Sequence, residues 1–339
     1  MDERQKQLQA WAKSVLSVSG AGVCWNSVAG DASARRYFRL QDQLDRSWIC
    51  MDAPPQTEKN AEFVDIRERL ERGGVRVPTL LAADFEQGFM VLEDLGDQLL
   101  LPGLSADSVD ARYQQALAML LDLQALPTAG EQLPAYSAPV LGEELSRFPE
   151  WFCEGLLEIE LSAPVQAMFS HLADRLIEQA CEQPRVLVHR DYHSRNLLVL
   201  PDDSLATIDF QDAVVGPLCY DLVSLLRDCY ICWPAQQVRQ WALGYRERLL
   251  ALGRPAGTDA QQFLRWFDWI GLQRHLKVLG NFSRLSLRDG KDNYLQDIPL
   301  VLHYILEVLA QYEELESVLR WFEEEITPRV GRISLAEPS

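Results

Sequence analysis

Positive charge is scarce in this 339-residue chain: 32 Lys and Arg stand against 50 Asp and Glu, a formal net charge of −18. Such a balance repels phosphate backbones and anionic lipid headgroups, so neither nucleic acid nor a membrane surface is an expected partner, although an isolated basic pocket stays open. Long apolar runs are missing too. No stretch approaches the roughly 18 residues that span a bilayer. Met1-Asp2-Glu3-Arg4 lacks the basic segment, apolar stretch and small-residue cleavage site of a secretory leader, and the cytoplasm is the expected location. The seven cysteines (Cys24, Cys50, Cys153, Cys181, Cys219, Cys229, Cys232) are odd in number and lack the spacing of a disulfide framework, which points to reduced thiols. Cys229-Tyr-Ile-Cys232 matches C-x-x-C, but without a second pair and in an apolar, helix-like setting it reads as buried structure rather than a zinc or redox site.

Internal repeats, low-complexity tracts and long linkers are absent as well. What is present is a hydrophobic fraction of 47% with nine Trp, enough for a large core, and a length that favours two lobes. Helical spacing over 4–17 precedes strand-like runs at 33–40 and 48–51. Residues 58–72 place Phe63, Ile66 and Leu70 three or four apart ahead of Gly73-Gly74, a helix with a stop signal. Two more strand-like runs, 79–82 and 88–92, complete a small sheet by about residue 95. From residue 105 the patterns are helical over 107–125, 142–160, 164–182, 217–232, 235–252, 259–287 and 299–325. Only Val186–Val188 and Leu205–Ile208, two apolar strands around a Pro-Asp-Asp-Ser turn, interrupt them.

The polar chemistry clusters at those strands. Val186-Leu-Val-His-Arg-Asp-Tyr-His-Ser-Arg-Asn196 fits H-R-D-x-x-x-x-N, and Asp209 follows Asn196 by thirteen residues at the end of the next strand. Phosphoryl transfer needs one carboxylate to orient the attacking hydroxyl and take its proton, and oxygen ligands to hold Mg²⁺ against nucleotide phosphates. Asp191 suits the first task; Asn196 and Asp209 suit the second. His189 and His193 bracket Asp191 at a spacing of four, but a zinc pair of that kind needs a helix and a Glu beside the first His. His189 is expected to hold the loop and His193 to line the cleft.

These motifs resemble the aminoglycoside-phosphotransferase and choline-kinase family of the protein-kinase-like fold, over nearly the whole chain. The resemblance implies an α+β, bilobal protein: a small N-terminal antiparallel sheet plus helix forming a nucleotide-binding lobe (1–95), and a larger, mainly helical C-terminal lobe (96–339) with the catalytic loop and substrate pocket. It implies ATP and Mg²⁺ as cofactors. It also makes His189 and Asp191 the catalytic loop, Asn196 and Asp209 metal ligands, and Asp221, in Gly216-Pro217…Tyr220-Asp221-Leu222, a brace for that loop. Gly30-Asp-Ala-Ser-Ala-Arg-Arg-Tyr-Phe-Arg39 falls where the family covers the phosphates, with Gly30, Ser33, Arg35 and Arg36 as candidate contacts. Val91-Leu-Glu-Asp-Leu-Gly96 falls at the hinge, where the backbone of Glu93 and Leu95 would meet the adenine edge.

One departure stands out. Such kinases carry a lysine on the third strand, paired with a helix glutamate, yet Trp48-Ile-Cys-Met-Asp52 offers Met51 or Asp52 there. An arginine of the 35–39 segment or Lys59 could substitute, Arg35 or Arg36 being preferred because they lie in the loop itself, with Glu62 and Glu68 as open partners of that charge. Within the family the chain is most similar to bacterial anomeric sugar kinases that phosphorylate N-acetylmuramate and N-acetylglucosamine at C1. That similarity rests on Gly30–Arg39, Met51-Asp-Ala-Pro-Pro55, Ile208-Asp-Phe-Gln-Asp212 and Gln273–Gly280. A sugar pocket calls for carboxylates and amides for hydroxyls plus an aromatic face. Asp212, His193, Arg274 and His275 are candidate polar contacts, the last two for a muramic carboxylate, and Trp151 and Tyr294 candidate ring platforms. An aminoglycoside, choline-like or homoserine-like acceptor stays open, as does a silent ATP-binding scaffold.

Overall fold

The computed structural model describes residues 1–19, 22–28, 35–128 and 133–333. Helix α1 (Glu3–Val15) leads into strands β1 (Cys24–Val28), β2 (Arg36–Gln41) and β3 (Ser47–Asp52), helix α2 (Asn60–Arg72), strands β4 (Leu80–Asp84) and β5 (Phe89–Glu93), and helix α3 (Val109–Leu123). Helices α4 (Ala138–Arg147) and α5 (Ala163–Glu182) precede four short strands, β6 (Arg185–Val188), β7 (Leu197–Val199), β8 (Leu205–Thr207) and β9 (Val214–Pro217). Helices α6 (Tyr220–Leu226), α7 (Ala235–Ala251), α8 (Ala260–Asp289), α9 (Ile298–Leu309), α10 (Glu316–Trp321) and α11 (Thr327–Ile333) finish the chain. No helix among the described residues is long and apolar enough to cross a membrane. Contacts gather the chain into two compact units, Met1–Leu126 with Arg195–Asp212, and Pro127–Ser194 with Ala213–Ser339.

In the first unit β1-β2-β3-β5-β4 form an antiparallel sheet, with Tyr37 opposite Met51 and Met51 opposite Met90. Alternation on β2 buries Phe38 and Leu40 against Cys50, Phe89 and Val91, and α1 covers this face with Leu8 and Ala12. The Asp2 side chain caps α1 by accepting the Gln5 N–H at 2.8 Å. Strand β1 was not anticipated because its exposure pattern shows no buried face. The hairpin β7–β8 belongs to this unit: Leu100 N–H donates to Leu197 O, Val199 N–H to Gln98 O and Thr207 N–H to Arg76 O, at 2.8–2.9 Å.

The second unit is mainly helical, with β6 paired to β9 so that Val186 faces Gly216. Helix α8, about 45 Å long at 1.5 Å per residue, is capped by Asp259 and ended by Gly290 in the left-handed region at φ 66°. Its buried Trp269, Leu272, Leu276 and Leu279 join a core in which Phe148 stacks on Phe152 and Phe322. Gly280 lets α8 approach the end of α4, since a Cβ there would lie 2.5 Å from the Arg147 carbonyl carbon.

Two expected helices change form. The 142–160 pattern divides into α4 and a π-helical stretch, Phe148–Leu156, where Pro149 removes a backbone donor. The 217–232 pattern contains a strand end and a helix that stops at Leu226, because Arg227 leaves the helical conformation (φ −120°, ψ 56°). The two apolar strands read from the sequence do not pair with each other: β6 takes β9 and β8 takes β7, both too short to be read locally.

Candidate active site

In the second unit the chain turns as soon as β6 ends. Arg190 has φ 77°, a conformation that costs a non-glycine residue about 1 kcal/mol or more. Asp221, fully buried in the first turn of α6, holds it there by accepting the His189 N–H at 2.6 Å and the Arg190 N–H at 3.0 Å. Burial pushes the Asp221 carboxyl up to about 7 against the lowering pull of those two donors. The other end of the loop is tied by Asp228, which accepts the Ser194 N–H at 2.9 Å and the Ser194 hydroxyl. Asp191 lies between these ties. Burial alone would raise its carboxyl, but Lys277, His193, Arg190 and Arg274 hold it below the usual aspartate range, so it stays ionised.

The cations around Asp191 are themselves organised. Arg190 Nη2 reaches Glu144 Oε1 at 2.5 Å and Lys277 Nζ reaches the same oxygen at 3.2 Å, while Tyr136 donates its hydroxyl to Oε2. Lys277 also donates to the Tyr220 hydroxyl at 3.0 Å. Against burial, Lys277 and Arg190 hold Glu144 ionised.

In the first unit Asn196 and Asp209 meet. Asn196 Nδ2 lies 3.5 Å from Asp209 Oδ2, a long contact, and Gln211 Nε2 donates to Oδ1 at 2.7 Å. Asp209 itself sits at φ 63°. Phe210, next in the chain, stacks on Phe63 of α2 at 5.2 Å. A carboxylate beside an amide is a hard-oxygen donor set that suits Mg²⁺ shared with substrate phosphates.

The two arginines offered in place of the third-strand lysine have different surroundings. Arg36 reaches Asp52 Oδ2 at 2.6 Å and also Asp2, while Arg4 takes the other Asp52 oxygen at 2.6 Å. Arg35 is buried, ion-paired with Glu58 at 3.1 Å, and lies over the Phe63 ring at 5.5 Å. Glu62 and Glu68 are exposed. Gly30 and Ser33 lie outside the described residues.

In the 91–96 segment, the Glu93 side chain is held by Arg76 at 2.5 and 2.8 Å and the Glu93 N–H donates to Thr79 O at 2.8 Å. The backbone hydrogen bonds of the described residues leave the Leu95 N–H and C=O unpaired. Arg39 fixes this segment, gripping Asp94 at 2.6 and 2.9 Å and Asp97 at 2.5 and 2.7 Å.

Of the six acceptor-contact candidates, His193 and Arg274 act on Asp191 electrostatically. His193 also meets the Tyr230 ring edge-on at 5.4 Å. His275 faces elsewhere, with Nε2 3.1 Å from Arg227 O and its ring stacked on Tyr304 at 5.1 Å. Tyr294 stacks on Phe282 at 5.1 Å, Trp151 is half-buried in the π-helical stretch, and Asp212 is exposed. Sequence reasoning missed Glu144, Lys277, Glu58 and Asp228. Only Asp228 left a signal: Arg227-Asp228 breaks an otherwise apolar run.

Known proteins agree with this architecture. The profile of the phosphotransferase enzyme family matches residues 25–267. An N-acetylmuramate/N-acetylglucosamine kinase of Pseudomonas aeruginosa is 40% identical over 94% of this chain and 95% of that protein. The enzyme of the same name from Neisseria meningitidis is 38% identical over 92% and 93%. Among solved structures, choline kinase LicA from Streptococcus pneumoniae superposes with a TM-score of 0.63 at 15% identity, covering 92% of this chain and all of that one. Aminoglycoside phosphotransferase APH(2'')-Ib gives 0.58 at 12% identity over 91% and 99%.

Proposed function

We propose, from the premise that this chain belongs to the phosphotransferase enzyme family, that it transfers the γ-phosphoryl group of ATP to the anomeric hydroxyl of N-acetylmuramate and N-acetylglucosamine, a step of cell-wall recycling in the cytoplasm. The observation that carries the proposal is Asp191, kept ionised by its charged surroundings, Lys277 foremost, on a loop tied at both ends. Asp191 accepts the proton of the C1 hydroxyl as its oxygen attacks the phosphorus. Asn196 and Asp209 would hold Mg²⁺, which supplies charge neutralisation on the phosphates. Leu95 offers an N–H and a C=O to the adenine edge. The names of the relatives supply the acceptor.

An ATP-consumption panel tests this reading. Turnover is expected with N-acetylmuramate and N-acetylglucosamine and not with their 1-O-methyl glycosides, in which the attacking hydroxyl is blocked. Turnover confined to choline, homoserine or aminoglycosides would replace the sugar with another acceptor, and ATP binding with no turnover on any acceptor would mark a silent scaffold.

We assign the phosphate-facing charge to Arg35, whose pairing with Glu58 mirrors the kinase lysine–glutamate pair. Arg35→Ala is expected to raise KM for ATP about tenfold, the worth of one charge-assisted contact. Arg36→Ala should leave that KM within about twofold and lower Tm instead, because the fully buried Asp52 loses one of its two cations. The reverse pattern would hand the role to Arg36.

A further inference from the structure

Helix α8 places Arg274 and Lys277 three residues apart, both buried. Lys277 shares Glu144 with Arg190, so two cations divide one carboxylate. Arg274 reaches none. Among the described residues its single hydrogen-bond partner is the Cys229 Sγ at 3.3 Å, and the Cys229 thiol is raised by burial and therefore neutral. Around the catalytic loop Asp221 and Asp228 are occupied by the loop's own backbone and Ser194, and Glu144 by Arg190 and Lys277, so among the described residues Arg274 is the cation there with no ion pair. A guanidinium cannot shed its proton to escape burial. A buried cation met by a thiol alone keeps unused donors, which an anion from outside the chain could take up. His275, the neighbouring candidate, is turned to Arg227 O and Tyr304 and cannot share the task in this arrangement.

We propose that Arg274 is a specificity-determining residue that binds a carboxylate on the acceptor sugar, so that the active site favours acid-bearing over neutral amino sugars. The assignment rests on the sugar-kinase reading. In N-acetylmuramate that carboxylate belongs to the lactyl ether, which N-acetylglucosamine lacks. The fork of the guanidinium matches a carboxylate in two parallel hydrogen bonds, which lysine cannot reproduce. A nucleotide phosphate carries a related negative charge and is separated from the sugar by the kinetics.

The experiment compares kcat/KM for N-acetylmuramate, its methyl ester and N-acetylglucosamine, with KM for ATP, in wild type, Arg274→Met and Arg274→Lys, after checking each Tm. Wild type is expected to use the ester about 10- to 100-fold less well than the acid. In Arg274→Met the acid should lose that factor on top of whatever common loss all three sugars share from removing a charge that helps keep Asp191 ionised, so the acid-to-ester ratio falls to about 1, and Arg274→Lys should fall between. Equal losses on all sugars, or a rise confined to KM for ATP, would overturn the assignment. Should Arg274→Met fail to fold, the wild-type ester comparison still decides: equal use of acid and ester sinks it. If neither free sugar turns over, the sugar reading falls and this assignment with it, whereas turnover of both without discrimination overturns the assignment alone.

Discussion

Asp191→Asn is expected to lower kcat by about 10²- to 10⁴-fold while KM for ATP stays within about twofold. Asparagine keeps the size and hydrogen-bonding edge of the side chain but accepts no proton at neutral pH. The loop itself should persist, because the bonds that shape it run from the backbone of residues 189, 190 and 194 to Asp221 and Asp228. Rates with each amino sugar at saturating ATP give kcat, and near-normal turnover would remove Asp191 from the mechanism. The pH profile gives a second test. Burial raises the Asp191 carboxyl, but Lys277, His193, Arg190 and Arg274 outweigh it and lower its pKa. The active, ionised form therefore survives to lower pH than an ordinary aspartate near 3.9 would allow. An acid limb well above about 4 in kcat/KM would assign that loss to another group.

What the sequence made legible follows from how local each feature is. The H-R-D loop and the later Asp209 stand within one stretch of chain where their spacing announces them, while the expectation for Asp221 came from the family resemblance. Helix α2 was readable because Phe63, Ile66 and Leu70 repeat at 3.6-residue spacing and bury one face. Strands β7 and β9, three and four residues long, carry too little pattern to separate from the loops around them. Glu144 and Lys277 stand 133 positions apart and converge only because α4 packs on α8. Neither position is marked by its neighbours in sequence. The same holds for Glu58, which precedes α2 and meets Arg35 from across the sheet connections. Local pattern thus supplied the candidate residues, while the charges around Asp191 came from packing.

Asp209 separates folding from function. Its φ of 63° is one that a glycine adopts without a Cβ penalty, yet a residue with a Cβ and a carboxylate holds this left-handed position, as the proposed metal role would require. Asp209→Gly relieves that penalty and adds back unfolded-state entropy of similar size, about 1 kcal/mol each way, so Tm should change by no more than about 3 °C. On the proposed metal role, activity should nevertheless fall at least about 100-fold, since one of the two proposed metal-binding groups is gone and Asn196 loses its neighbour. Asp209→Asn keeps the shape and one oxygen but removes the charge. The Mg²⁺ concentration for half-maximal rate should then rise about tenfold or more, by the scale of effects seen when metal-site groups are altered. Titrating Mg²⁺ at fixed ATP, together with thermal melts of both variants, reads the two outcomes independently. Unchanged metal dependence in Asp209→Asn would reject Asp209 as a ligand. A large drop in Tm for Asp209→Gly would mean instead that the carboxylate, through Gln211 at 2.7 Å, holds up the structure. A stable but inactive glycine variant would show that the strained conformation is kept for the metal and not for the fold.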